Sequence, residues 1–246
     1  MSVTASPTAH KVHLIDRGEV AERTMAFWFE KPAGFTFTAG QFVDLTLVNP
    51  PETDVEGNTR AFSIASPPHE ARLMVATRLR NTAFKRVLRS LSLGASIKLE
   101  GPFGNLSLHS DASRPAVLVA GGIGITPFRS MLIQAAKEQS RHRIFLFYSN
   151  RRPEDAPFLE ELENLQRANP NYTFTGTMTG MQQSSRSWKG ETGRLNENLL
   201  MKSLKGLEAP IYYIVGPPGM VHGSHTMLTN AGIPRGDIRT EEFAGY

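Results

Sequence analysis

The stretch AVLVAGGIGITPF, residues 116–128, decides how this chain is read. A short apolar run suited to a buried strand leads straight into Gly121, Gly122 and Gly124. Thr126 follows as a candidate N-cap and Pro127 as a first helical residue. Glycine lets a backbone approach a phosphate closely, and a helix N-terminus offers unpaired N–H groups at the positive end of its dipole. The expected product is an anion site at the carboxyl end of a strand. The G-x-G-x-x-G fingerprint is incomplete because Pro127 holds its last position, so a tight strand-to-helix turn without a ligand stays open as the plainer reading.

Downstream, apolar strands alternate with helical patterns, which predicts a parallel sheet with crossover helices. Five strands are expected: AVLVA at 116–120, RIFLFYS at 143–149, YTFTGTM at 172–178, IYYIVG at 211–216 and DIRTEEF at 237–243. Phe128, Met131, Leu132, Ala135 and Ala136 recur at helical spacing within PFRSMLIQAAK, as do Phe158, Leu162 and Leu165 within APFLEELENLQ. The polar, turn-rich segment 180–194 reads as a surface loop. A second glycine-bearing turn, Gly216, Pro217, Pro218, Gly219 and Met220, ends the strand IYYIVG. Beside the first loop it would complete one crevice, where open α/β sheets bind ligands.

Upstream, between Lys11 and Leu108, six runs of β-formers are separated by turn residues: KVHLIDRGEV, TMAFWFE, QFVDLTLV, AFSIAS, RLMVATRL and SIKLE. They predict a small six-stranded antiparallel β-barrel, interrupted by a helix that Thr82 caps and Gly94 stops. The two textures meet around residues 107–115, so the expected domains are 1–110 and 111–246. On the strand holding Arg60, Ala61, Phe62 and Ser63, alternation puts Arg60 and Phe62 on one face and Ser63 on the other. A guanidinium can pair a phosphate, a ring can stack on a planar cofactor and a hydroxyl can bond a ring heteroatom. An edge strand with one solvated Arg and one core Phe explains the same residues.

Composition narrows the chemistry. The chain of 246 residues has no cysteine, which excludes disulfides, thiolate zinc sites, cysteine nucleophiles and iron-sulfur clusters held by its own residues. Its net charge of +4 suits an anionic partner, yet the basic residues are scattered, so no nucleic-acid partner is expected. No apolar stretch is long enough to span a membrane and MSVTASPTAHK has no apolar signal core, so the expectation is a cytoplasmic protein without membrane insertion. His222 and His225 lack an acidic third ligand, the Glu160, Glu161 and Glu163 group fits a solvated helix face, and Ser224 lacks a nucleophile elbow. No metal site is expected.

Three motifs in order, RAFS at 60–63, GGIGITP at 121–127 and VGPPGM at 215–220, together with AGQFV at 39–43 and GPFG at 101–104, resemble the ferredoxin-NADP reductase superfamily. The resemblance implies an FAD-binding barrel followed by a Rossmann-like NAD(P)-binding domain, hence a flavin-dependent oxidoreductase using NADH or NADPH. It implies that Arg60 pairs the flavin phosphates, that Phe62 packs on the isoalloxazine and that Ser63 sits near the flavin N5. Thr77, Leu79 and Thr82 with its helix would complete the flavin site, and Phe243 or Tyr246 would cover the other ring face. Gly121, Gly122, Gly124, Thr126 and Pro127 would hold the nucleotide diphosphate, with Ser149 and Arg151 beyond it and Gly216, Pro217, Pro218, Gly219 and Met220 at the nicotinamide end. Ser63 and Thr126 are the residues expected beside the reacting atoms. The electron partner would be a ferredoxin, a flavodoxin, an oxygenase component or a small acceptor such as a ferric chelate, quinone or free flavin.

Four departures from the family pattern qualify this. Phe62 replaces a tyrosine, losing a phenolic hydrogen bond, and Val215 replaces a cysteine common beside the nicotinamide. Both would also suit a non-catalytic flavin- or nucleotide-binding subunit. The helix after Thr82 reads about one turn longer than in several relatives. Thr177 and Met178 stand where NADPH-specific members carry a Ser-Arg pair, which argues for NADH. Ser149, Asn150, Arg151 and Arg152 offer a competing site for a 2'-phosphate.

Overall fold

A computed structural model describes residues 8–243 of the chain. Its first half holds β1 (Thr8–Ala21), β2 (Thr24–Glu30), β3 (Phe42–Leu47), β4 (Thr59–Ser63), β5 (Arg72–Arg78), helix α1 (Ala83–Ser90) and β6 (Ser96–Phe103). The strands form an antiparallel sheet in the order β4-β3-β6-β1-β2-β5. One long strand turns the corner: β1 pairs with β6 through residues 8–13 and with β2 from Leu14 onward, with a register shift between Leu14 and Asp16. The two edge strands meet just beyond β4, where the Ala65 N–H donates to the Met74 carbonyl at 2.7 Å and the Met74 N–H to Ser66 Oγ at 2.9 Å. The interior is filled by Leu14, Phe27, Phe29, Leu45 and Ile64, and α1 closes it with Phe84, Val87 and Leu88.

The second half holds β7 (Ala116–Gly121), α2 (Ile125–Lys137), β8 (Ile144–Asn150), α3 (Leu159–Ala168), β9 (Tyr172–Met178), β10 (Glu191–Thr192), α4 (Glu197–Ser203), β11 (Ile211–Gly216), α5 (Pro218–Asn230) and β12 (Ile238–Glu242). The sheet is parallel throughout, in the order β10-β9-β8-β7-β11-β12. Strands β7 and β11 are buried at every position, because helices cover both faces; this is why they read as unbroken apolar runs.

The structure corrects the sequence reading at several places. The parallel sheet has six strands, not five: segment 180–194 contributes β10, held on β9 where the Gly193 N–H donates to the Met178 carbonyl at 2.9 Å and Thr177 Oγ1 to the Gly193 carbonyl at 2.6 Å. Helix α4, capped by the Asn196 side chain on the Leu199 N–H, was not foreseen. Phe158 stands outside α3 with a φ of 60°, because Pro153 and Pro157 shape a turn ahead of it. Thr126 is not an N-cap: a 3-10 turn over Gly122–Gly124 starts the coil earlier, and Thr126 Oγ1 donates back to the Ile123 carbonyl at 3.0 Å. Pro127 accordingly lies inside the first turn of α2 and not at its first residue. Among the described residues no helix is long and apolar enough to cross a membrane.

The chain runs outward from β7 to β10 and then returns to β11 on the other side of β7. The order of strands therefore reverses between β7 and β11, the place where such sheets leave a crevice.

Candidate functional site

Register places five strand ends in a row. Thr177, Ser149, Gly121, Val215 with Gly216, and Glu241 with Glu242 follow one another across β9, β8, β7, β11 and β12. The two glycine-bearing turns leave from the middle of that row and pack tightly on each other. A Cβ at Gly124 would lie 2.5 Å from the Val215 carbonyl oxygen, and one at Gly121 would lie 2.3 Å from Met220 Sδ and 3.0 Å from Pro217 Cδ. Gly121 and Gly124 thus serve loop-to-loop packing, while Gly122 supplies a positive φ of 54° and Gly219 meets nothing within 4 Å. Pro217 and Pro218 start α5, so both loops end in helix N-termini.

The barrel meets this row along β4 and β5, enclosing a pocket of about 500 Å3. Of the residues expected at a flavin, Arg60, Phe62, Ser63, Thr77, Thr82, Thr126 and Phe243 all line it. Phe62 is buried against Phe84, with ring centroids 5.8 Å apart, yet still contributes to the wall. The Ser63 hydroxyl has no hydrogen-bond partner among the described residues, although the residue is only 6% exposed. Leu79 lies outside the pocket, just beyond β5, where its N–H donates to the Arg23 carbonyl at 2.7 Å. The expected nucleotide residues Gly121, Gly122, Gly124, Pro127, Ser149, Arg151 and Gly216 to Met220 lie along the adjoining strand ends and loops and not in the pocket wall. Tyr246 lies outside the described residues.

Four cations, Arg60, Arg78, Arg80 and Lys85, gather at one end of the pocket. Burial, then the neighbouring Arg80 and Arg60, push the Lys85 ammonium down to about 8; its Nζ donates to the Arg78 carbonyl at 2.9 Å. Arg60 Nη1 donates to the carbonyls of Glu56, Gly57 and Thr59, and Nη2 reaches Glu56 Oε2 at 2.7 Å and Asp54 Oδ1 at 3.4 Å. Glu241 and Glu242 also line the pocket; burial raises the Glu241 carboxyl above the ordinary carboxylate range. Sequence patterning missed Lys85, Glu241 and the Asp54 and Glu56 pair, since each looks like an ordinary solvated charge.

The arrangement fits the two groups that the motifs imply. A pocket of this volume is ligand-sized. Its cationic end and the α1 N-terminus suit a phosphate, and its partnerless Ser63 hydroxyl suits a ring heteroatom. On the nucleotide side, Asn150 at the carboxyl end of β8 is buried, and its side-chain Oδ1 and Nδ2 have no hydrogen-bond partner among the described residues.

The barrel thus packs on a parallel sheet, and the pocket they share lies beside the place where the strand order reverses. The profile described as an oxidoreductase NAD-binding domain matches residues 118–226. Ferredoxin-NADP reductase B of Sorangium cellulosum is 30% identical over 225 residues, covering 87% of this chain and 89% of that protein. The chain belongs to the ferredoxin-NADP reductase family of FAD- and NAD(P)-binding oxidoreductases. Reductase component 2 of the terephthalate 1,2-dioxygenase of a Comamonas species is 25% identical over 210 residues, 85% of this chain; the chain spans only 60% of that protein's length. Among solved structures, a ferredoxin NADP+ reductase from Neisseria gonorrhoeae with bound FAD and NADP superposes with a TM-score of 0.78 at 22% identity, over 95% of this chain and 98% of that one.

Proposed function

We propose that this chain takes hydride from a nicotinamide nucleotide onto a flavin held in the barrel pocket and passes the electrons to a separate acceptor. One observation carries the reading: a barrel strand bearing Ser63 and the first turn of α2 bearing Thr126 line the same pocket, a place for two planar rings to meet. A bound flavin supplies the two-electron chemistry. The chain's own residues orient and shield. Arg60, Lys85 and the start of α1 hold phosphates, Phe62 and Phe243 wall the ring site, and Ser63 offers its hydroxyl to a ring heteroatom. Glu241 holds its proton to higher pH than an ordinary carboxyl, beside the same wall. The acceptor is a ferredoxin, a flavodoxin or an oxygenase component, in keeping with the names of the relatives and with a net charge of +4 that favours acidic carriers.

NADH is the preferred donor. Thr177 commits its hydroxyl to Gly193, Met178 is buried, and neither is a cation. Arg152 is committed to Asp155 at 2.8 Å and Glu22 at 2.6 Å, so at the end of β8 only Arg151 is an exposed guanidinium for a 2'-phosphate. Anaerobic titration of the FAD-reconstituted protein tests both statements. Bleaching of the bound flavin by stoichiometric NADH, with NADPH slower by about tenfold or more, is expected for a difference of one good ionic hydrogen bond. A protein that takes up no flavin, or whose bound flavin neither nucleotide reduces, would overturn the reading.

A further inference from the structure

The β3–β4 connection, residues 48–58, is rich in acids and prolines, VNPPETDVEGN, and it folds over the cationic end of the pocket. Asp54 makes two contacts there. Its Oδ2 accepts the Ala83 backbone N–H at 2.9 Å, satisfying the first residue of α1, and its Oδ1 faces Arg60. Glu56 Oε2 pairs with the same guanidinium at 2.7 Å. The N–H of Ala83 above all, then that of Glu56, then Arg60, hold the Asp54 carboxyl below the usual carboxylate range, so it is charged at neutral pH. Two carboxylates therefore stand on a helix N-terminus and an arginine, the pair of donors that would otherwise take phosphates. Lys85, in the same wall, has no carboxylate within salt-bridge distance among the described residues. At the loop tip Val55 is fully exposed, so outward movement of the tip strips no buried apolar contact.

We propose that the 48–58 loop is a carboxylate plug: Asp54 and Glu56 occupy, on Arg60 and on the α1 N-terminus, the places that the phosphates of an incoming flavin nucleotide must take. The inference rests on the flavin reading above and adds to it a determinant of which flavin binds and how tightly. Phosphate replaces carboxylate on the same donors, and the displaced side chains move into water. The exchange costs the loop its ion pairs and leaves two negative charges near the bound phosphate. Riboflavin carries no phosphate and bypasses the competition. The plug thus narrows the gap between phosphorylated and unphosphorylated flavins.

Fluorescence titration of the full chain with FAD, FMN and riboflavin, on wild type, Glu56→Gln and Asp54→Asn/Glu56→Gln, tests this. Glu56→Gln leaves the α1 cap intact, so it remains informative if the double variant frays the helix. The expected result is FAD and FMN binding tightened about tenfold in the single variant and further in the double, with riboflavin within about twofold of wild type. Unchanged or weaker FAD binding in Glu56→Gln, with wild type still binding all three flavins, would overturn the plug and leave the flavin reading standing. A parallel shift of all three flavins would also overturn it, since the loop would then act on the barrel and not on the phosphates. Wild type that binds none of the three overturns the flavin reading itself.

Discussion

Gly124 illustrates how one position can be read correctly in place and wrongly in purpose. Its sequence context suggests an approach to phosphate, yet the backbone of Val215 and Gly216 fills the space where a side chain would stand. That neighbour is main chain on a fully buried strand and cannot rotate aside, so Gly124→Ala forces the two loops apart. A loss of about 2 kcal/mol is expected, in the range for overpacking a buried site, together with weaker nucleotide binding. Thermal denaturation and a nucleotide titration of the variant would show it; an unchanged Tm would mean the turns are looser than the geometry states. Arg60, Phe62, Ser63 and Thr126, singled out from the sequence, line one pocket, although strand alternation puts Ser63 on the face opposite Arg60 and Phe62 and the sequence pattern reads Thr126 as a cap. Asp54, Glu56, Lys85, Asn150 and Glu241 were not legible as site residues, because their meaning comes from partners distant in sequence. Asp54 meets Ala83 across 29 positions.

Elements were easier to read where burial imposes a period. Strands β9 and β11 coincide with the predicted segments, and β7 and β8 agree within a residue or so at either end, since uninterrupted apolar runs flanked by glycine or polar residues leave little choice. Strand β10 has two residues, both exposed, and so carries no pattern at all. Helix α2 shows what a period alone cannot reveal, a polar side chain used to join domains. Arg129 on its buried face donates through Nη1 to the Ala65 carbonyl of the barrel at 2.8 Å. It also forms a two-pronged pair with Glu161 of α3 at 2.7 and 2.6 Å, its guanidinium lying 4.9 Å from the Phe158 ring centroid. Next to it Ser130 Oγ donates to the Ser66 carbonyl at 2.8 Å. Arg129→Met keeps much of the stem's packing but strands the Ala65 carbonyl and the Glu161 carboxylate. A destabilisation of about 2 kcal/mol is expected, discounted for the partly solvated Glu161. Because the lost contacts join the domains, limited proteolysis should cut the 104–115 connection faster than in wild type. An unchanged cutting rate would confine Arg129's role to the pairing of α2 with α3.

At the scale of the whole molecule, two polar networks, one buried around His109 and one half-exposed around Glu154, contribute to how stability follows pH. Beneath the parallel sheet, Tyr213 Oη accepts the His109 backbone N–H at 2.9 Å and Arg239 Nη1 at 3.2 Å, leaving its own proton for His109 Nδ1 at 2.9 Å. His109 Nε2 then carries the ring proton and donates to the Arg114 carbonyl at 2.9 Å. A second proton has no acceptor at Nδ1. Burial above all, together with His142, Arg239 and Arg114, lowers the His109 pKa below its ordinary 6.5, against the raising effect of the Arg114 carbonyl. The unfolded chain therefore binds the extra proton first, so this contribution is complete above about 6.5 and falls away as pH drops below it. At the domain joint the Glu22 N–H donates to the Glu154 carbonyl at 2.8 Å, while the Glu154 carboxylate accepts from Ser184 Oγ and from the Ser185 N–H and hydroxyl. Desolvation opposes ionisation there, but Glu154's own N–H and these serine donors prevail and hold the carboxyl down to about 2. Its contribution is present above the ordinary 4.5 and is lost as pH falls from there toward 2. Through these two networks the melting temperature should decline as pH falls below about 6.5 and fall more steeply below about 4.5. Glu154→Gln should lower the melting temperature at neutral pH and remove the steep acid step while leaving the decline below 6.5 in place. His109→Gln should do the reverse. A melting temperature that stays level down to about pH 5 would mean that His109 accepts its second proton without cost, and that the hydrogen-bond directions assigned to Tyr213 are wrong.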